Sequence, residues 1–294
     1  MSGKLIDLHI HSCYSDGDFT PDEIITLARV NGIRTISITD HDTVLGYQNI
    51  NYIPDEIRLI TGIELSAKTD KGRMHILGYD IDINNSELNK KITELKSNSL
   101  NYVLSLVEQL KKDYGIAFAY DELKYLVNAN HNLGRPDIAK LCVKNGYADN
   151  VQDAFDKYLI EAYSKIKAYN KGIPYEECID LILKSGGIPV LAHPNTLKSK
   201  DIELLKFIRE MIESGLQGIE VYHSNHSITE TNKYLKIAWE LNLLVSGGTD
   251  YHGLSVKPDI EIGTGKNNNI LIKKLSIIEK INQLKEWWLH GKSN

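Results

Sequence analysis

The residues able to do chemistry fall in short, separated segments. Asp7-Leu8-His9-Ile10-His11 sets two imidazoles two residues apart, and Asp16 follows in Ser15-Asp16-Gly17. His41 lies in Thr39-Asp40-His41-Asp42, Glu64 in Gly62-Ile63-Glu64 and His75 in Met74-His75-Ile76. His193 lies in Ala192-His193-Pro194, and Asp250 precedes His252 in Asp250-Tyr251-His252. Imidazole and carboxylate together suit Zn, Mn or Fe. These nine donors exceed what one ion takes at about four to six ligands. They match a cluster of two or three divalent ions, with Glu64 as a bridging carboxylate. Left without cations, so many polar groups at an apolar barrel end would be costly.

The elements that must hold them are β-strands in alternation with helices. Strands are expected at Lys4–Ile10, Arg34–Thr39, Arg58–Leu65, Met74–Tyr79, Ile188–Ala192, Gly218–Tyr222 and Leu243–Ser246. Residues i and i+2 of a strand share a side, so His9 and His11 can serve one ion. Thr20-Pro21-Asp22-Glu23 has the form of a helix start, with a cap, a proline at the first position and Glu three after the cap. The βα alternation implies a parallel sheet, and seven strands favour a closed or nearly closed barrel. In such a barrel the loops after the C-terminal strand ends form the site. Nearly all the donors fall there. His75 is the exception, because it sits at the start of its run.

Between the fourth and fifth strands the pattern is helical, at Ser86–Tyr114, Asp121–Val127, Arg135–Asn145 and Val151–Tyr158. That block is expected to be an inserted subdomain. Later helices are expected at Pro174–Ser185, Asp201–Ser214, Thr229–Asn242 and Ser276–His290. His131 and His290 lie away from the strand ends and are expected to face solvent.

The chain has 294 residues, a net charge of −5 and three scattered cysteines. The mildly acidic balance gives no global field for gripping duplex nucleic acid. The cysteine count excludes a disulfide framework and suits a reducing compartment. No apolar stretch approaches the ~20 residues of a membrane span. A cytoplasmic protein is expected, its oligomeric state left open.

In order along the chain, DLHIHSCYSDGDFTPDEI, SITDHD, GIELS, HILGYD, GRPDIAK, LAHP, GIEVYHSNH and GGTDYHG resemble the PHP (polymerase and histidinol phosphatase) superfamily. They are most similar to its stand-alone phosphoesterases with a helical insertion, over nearly the whole chain. The resemblance implies an α/β fold, a distorted (β/α)7 barrel. Residues 1–84 and 173–294 would form the barrel that carries the metals, and residues 85–172 the inserted helical subdomain that contributes to substrate binding. It implies a trinuclear centre: His9, His11, Glu64 and Asp250 on one ion, Glu64, His75 and His193 on the second, Asp16, His41 and His252 on the third. Asp16 stands where some relatives carry histidine.

The implied activity is hydrolysis of phosphate monoesters of nucleotides, such as 3′,5′-bisphosphonucleotides or the 5′ ends of short oligonucleotides, with a metal-bridging hydroxide as nucleophile. Arg135, in Gly134-Arg135-Pro136, is the expected phosphate clamp, since a guanidinium grips phosphate in fork geometry. His226 is a candidate phosphate contact or leaving-group acid. His223 is the weaker candidate. Asp40 and Asp42 either orient ligands or cap the next segment. Three other functions compete. One is histidinol-phosphate phosphatase, and a second is a non-catalytic PHP module. The third is an amide hydrolase, disfavoured because no lysine stands at these strand ends to bridge metals.

Overall fold

Helix α1 (Pro21–Val30) begins as its residue types dictate. The Thr20 hydroxyl accepts from the Glu23 backbone, and the Glu23 carboxylate accepts from the Thr20 backbone at 2.8 Å. The helix stops at Asn31, and Gly32 takes φ +74°, a left-handed conformation open to glycine. On its inner face Ile24, Ile25 and Ala28 are buried against Ile10, Ile36 and Ile38. Burying each such Ile contributes roughly 1.5–3 kcal/mol.

The computed structural model describes residues 5–69, 71–127, 133–166, 172–198 and 200–290. His131 lies outside these residues, so the expectation for it has no structural counterpart. Seven strands run through one sheet in the order β1 (Leu5–Ile10), β2 (Ile33–Ile38), β3 (Arg58–Lys68), β4 (Met74–Tyr79), β5 (Ile188–Leu191), β6 (Gly218–His223), β7 (Leu244–Gly248), and an eighth, two-residue strand at Ile173–Pro174 pairs with the end of β3 off this path. The edges approach through a parallel bridge between Ile10 and Tyr251 and a bond from Asp250 N to His9 O of 2.8 Å. The result is a nearly closed barrel with helices around it.

The sheet is mixed rather than wholly parallel. Strand β4 runs antiparallel to both β3 and β5. The reason is chain length: only residues 69–73 separate β3 from β4. A parallel crossover needs about a dozen residues, whereas five suffice for a hairpin. Strand β3 also runs on to Lys68, past the expected end at Leu65, because β4 pairs with it as far as Ala67 and Ile173–Pro174 pairs with Ala67 and Lys68.

Helices α2 (Ser86–Tyr114), α3 (Tyr120–Val127) and α4 (Arg135–Lys144) precede α5, which joins Val151–Ala154, a π turn at Phe155–Leu159, and Ile160–Lys165. They share an apolar cluster that includes Tyr102, Leu106, Ile138, Leu159 and Ala162. Helices α6 (Tyr175–Lys184), α7 (Asp201–Glu213), α8 (Ile228–Glu240) and α9 (Ser276–His290) cover the barrel. Among the described residues no helix is long and apolar enough to cross a membrane.

Candidate metal centre

Three buried carboxylates fix the loops at the barrel mouth. Asp7, on β1, accepts from Thr249 N (2.9 Å), Thr249 Oγ1 (2.6 Å) and Gly263 N (2.9 Å) and so staples β1 to the loop that carries Asp250. Asp40 accepts from Ser12 N and Ser12 Oγ (2.6 Å each) and Ser15 Oγ (2.7 Å), which shapes the loop holding Asp16. Asp42 accepts from Ser66 N and Ser66 Oγ at 2.7 Å, tying the chain beyond His41 to β3. Gly248 permits the close approach of β7 to β1, since a Cβ there would lie 2.3 Å from His9 N.

Glu64 is the hub. Its Oε1 lies 2.7 Å from His75 Nδ1 and 2.8 Å from His193 Nε2. Its Oε2 lies 3.2 Å from His9 Nε2, 3.1 Å from His11 Nε2 and 3.1 Å from His41 Nδ1. The antiparallel course of β4 explains His75. The start of an antiparallel strand meets the C-terminal ends of its parallel neighbours, so His75 enters the same mouth. Asp250 Oδ1 lies 3.3 Å from His11 Nε2 and 3.4 Å from His252 Nδ1, and Asp16 Oδ1 lies 3.3 Å from His252 Nε2.

All nine sequence-selected donors therefore stand in one cluster at the barrel mouth. Their atoms form four overlapping groups within 4.8 Å: His11, Asp16, His41 and His252; His9, Glu64 and His193; His9, His223 and Asp250; His41, Glu64 and His75. These groups cut across the three-ion partition that the resemblance implies, and they add His223.

Buried donors crowd one another here. His11 Nε2 and Asp16 Oδ1 are buried without a hydrogen-bond partner among the described residues. Imidazole nitrogens and carboxylate oxygens face one another at 3.3–3.9 Å, a buried donor set that a divalent cation can take in place of protons. The all-nitrogen-and-oxygen donor set fits Mn, Fe or Zn.

The charges confirm the crowding. Burial opposes ionisation of Glu64, yet His41, His75 and His9 outweigh it and hold the carboxyl well below the usual range. Burial likewise opposes charge on His11, but Asp250, Glu64 and Asp16 push it up to about 9. His193 goes the other way, to about 3, mainly through burial.

Two partners, Glu220 and Lys257, escaped the sequence reading, and a third, His223, entered it only as the weaker candidate beside His226. Glu220 Oε1 lies 2.8 Å from His9 Nδ1, and its Oε2 accepts from His193 N at 2.7 Å. His9 and His223 draw Glu220 down to about 2 against the effect of burial. His223 Nε2 lies 3.2 Å from Asp250 Oδ2. Lys257 Nζ reaches the same oxygen at 2.5 Å. The only sequence signal for Glu220 was its place in a strand whose neighbours carry donors. Lys257 lies in a loop and gave none.

His226 stands one ring behind His223, with centroids 5.0 Å apart, and its Nδ1 lies 2.8 Å from Val221 O. Burial lowers it to about 4, so it is neutral near pH 7. With the Nδ1 proton on that carbonyl, Nε2 is left to accept rather than to donate.

Arg135 opens α4 and lies 5.5 Å from the Phe155 ring centre and 4.7 Å from that of Tyr163. It lines a cavity of about 730 Å³ that also contains Asp16, His41 and His75. A second cavity of about 270 Å³ reaches Glu64, His193, Asp250 and His252. Lys140 on α4 reaches Asp18 at 3.4 Å, which ties the helical block to the metal-side loop.

A family profile for the PHP domain matches residues 7–224. The chain is 29% identical to a 5′-3′ exoribonuclease of Haemophilus influenzae, over 94% of this chain and 99% of that protein. It is 27% identical to a 3′,5′-nucleoside bisphosphate phosphatase of Chromobacterium violaceum, over 84% of this chain and 87% of that one. A crystal structure from Bifidobacterium adolescentis, assigned as a metal-dependent phosphoesterase, superposes with a TM-score of 0.78 at 27% identity over 95% of each chain.

Proposed function

The chain belongs to the PHP domain family and is a metal-dependent hydrolase of phosphoric esters; from that premise we propose that it removes phosphate from nucleotides. The substrates would be 3′,5′-bisphosphonucleotides or the 5′ ends of short oligonucleotides, free in the cytoplasm rather than duplex or membrane-bound. The observation that carries this reading is the convergence of nine imidazole and carboxylate donors, three of which, Asp16, His41 and His75, line the cavity whose wall bears Arg135.

His9, His11, Asp16, His41, Glu64, His75, His193, Asp250 and His252 would hold two or three ions, with Glu64 shared, and His223 is close enough to join them. Bound divalent ions supply a water acidified to near-neutral pH and positive charge for the phosphate oxygens. The protein's own part is orientation. Glu220 fixes the tautomer and tilt of His9, and Asp40 fixes the loop of Asp16. Arg135, seated against Phe155 and Tyr163, would have its guanidinium held in place before substrate arrives. His226 would then act as a hydrogen-bond acceptor near the site rather than as the leaving-group acid. Residues 85–172 would form an inserted subdomain that supplies the substrate wall, with residues 1–84 and 173–294 as the barrel. Their own apolar cluster and the Arg135 and Phe155 lining support that division.

The test is phosphate release from adenosine 3′,5′-bisphosphate beside histidinol phosphate, after elemental analysis of the purified protein. Preference for histidinol phosphate would overturn the nucleotide reading. Arg135→Ala should raise KM about tenfold or more with a smaller change in kcat, because a charge-assisted bond to phosphate contributes ~1.5–3 kcal/mol. Unchanged kinetics would remove Arg135 from the clamp role. Glu220→Gln should weaken metal affinity by about 10–100-fold, the range for loss of a carboxylate behind a ligating histidine. Titration with a competing chelator reads this directly, and unaltered affinity would count against the orienting role.

A further inference from the structure

The two cavities share Asp16, His41, Arg73, Pro136 and Phe155 and diverge from there as two arms. The smaller arm passes over Asp250 and His252. Its far wall is Val151, Gln152, Phe155 and Ile160 from α5, with Val256 and Lys257 from the loop after β7. This wall is mainly apolar, over a floor of charged donors.

The π turn at Phe155–Leu159 builds it. On a regular α-helix, residues five apart point about 140° away from each other. An i→i+5 turn brings them back to one face. Phe155 and Ile160 accordingly both line the arm, while Ala154 and Leu159, also five apart, are both fully buried in the helical cluster. One helix can thus serve core and cavity together. Ile160 remains 55% exposed, an apolar side chain at the lip that packing within the chain does not use.

We propose that this arm is a nucleobase subsite, with the base resting on Phe155 and Ile160 and the phosphate at the donors below. The proposal rests on the nucleotide reading above. At about 270 Å³ the arm is slightly under the ~300 Å³ at which pockets for drug-sized ligands begin, so it suits one nucleoside and not two. The apolar residues of its wall, Val151, Phe155, Ile160 and Val256, recognise an aromatic face. The bulkier arm, with Arg135, takes the remaining phosphate or chain.

The experiment uses the full chain supplied with Mn²⁺ and two substrates, adenosine 3′,5′-bisphosphate and the abasic sugar bisphosphate that lacks only the base. Wild-type protein should prefer the nucleotide. Ile160→Ser should lower the ratio of kcat/KM, nucleotide over abasic, about tenfold, near the low end for losing the apolar contact of one isoleucine side chain. Exposure of Ile160 makes loss of the fold an unimportant outcome. Phe155→Leu is the second variant. It disturbs the seat of Arg135 for both substrates alike, so the ratio isolates the base. An unchanged ratio in both variants, with wild-type hydrolysis of the nucleotide intact, overturns the subsite alone. Wild-type protein that releases phosphate from histidinol phosphate and not from the nucleotide overturns the subsite and the reading beneath it.

Discussion

Asp250→Asn should reduce phosphate release by more than the ~100-fold that loss of an outer partner of a metal ligand costs. Asp250 sits where five demands meet. Its Oδ1 faces His9, His11 and His252 at 3.3–3.6 Å, and its Oδ2 faces His223 at 3.2 Å and Lys257 at 2.5 Å. Burial raises the pKa of this carboxyl, yet Lys257, His252 and His9 together hold it well below its usual range, so it is charged at any working pH. Asparagine keeps the shape and loses the charge. It is also the right replacement for the backbone: Asp250 has φ +57°, a region that Asn tolerates and Ala does not. The variant should therefore stay folded by circular dichroism, with reduced metal content by elemental analysis. Full activity with undiminished metal would remove Asp250 from the ligand set.

Stripping metal with a chelator should abolish activity and lower Tm, and Mn or Zn should restore both. The apo site holds Asp16, Glu64, Glu220 and Asp250 among buried imidazoles, and the unfolded chain has no such preformed set. An ion at about a thousand times its Kd would add ~4 kcal/mol, or on the order of 10 °C in a domain this large. The effect has a sign in pH. His11 of the metal-free chain is pushed up to about 9, so below that pH an ion must displace its proton. Each unit below 9 costs about tenfold in apparent affinity from this group alone. The Tm gain on adding metal should thus be larger at pH 8 than at pH 6. A Tm that ignores both metal and pH would contradict a metal centre here. Scanning calorimetry on chelated and reloaded protein reads both.

The amino-acid order by itself determined the donor types, their succession along the chain, the strand-then-helix rhythm and the capped start of α1. These are local properties. Alternation of period two, a Thr-Pro-Asp-Glu cap or an H-x-H pair is visible within a few residues, because the physics behind each acts over a few residues. Only the tertiary structure decided the rest. The reversed strand β4 turned His75 from the outlying donor into a direct neighbour of Glu64, through a five-residue link whose consequence depends on pairing across the sheet. Glu220 is one carboxylate among many in the sequence, and its role exists only because β6 stands where its side chain meets His9, 211 positions away. Lys257 and the π turn of α5 are likewise set by what packs opposite them. Spacing along a chain reports which side of an element a residue shares, whereas the partner across the barrel is fixed by long-range pairing that no local pattern contains.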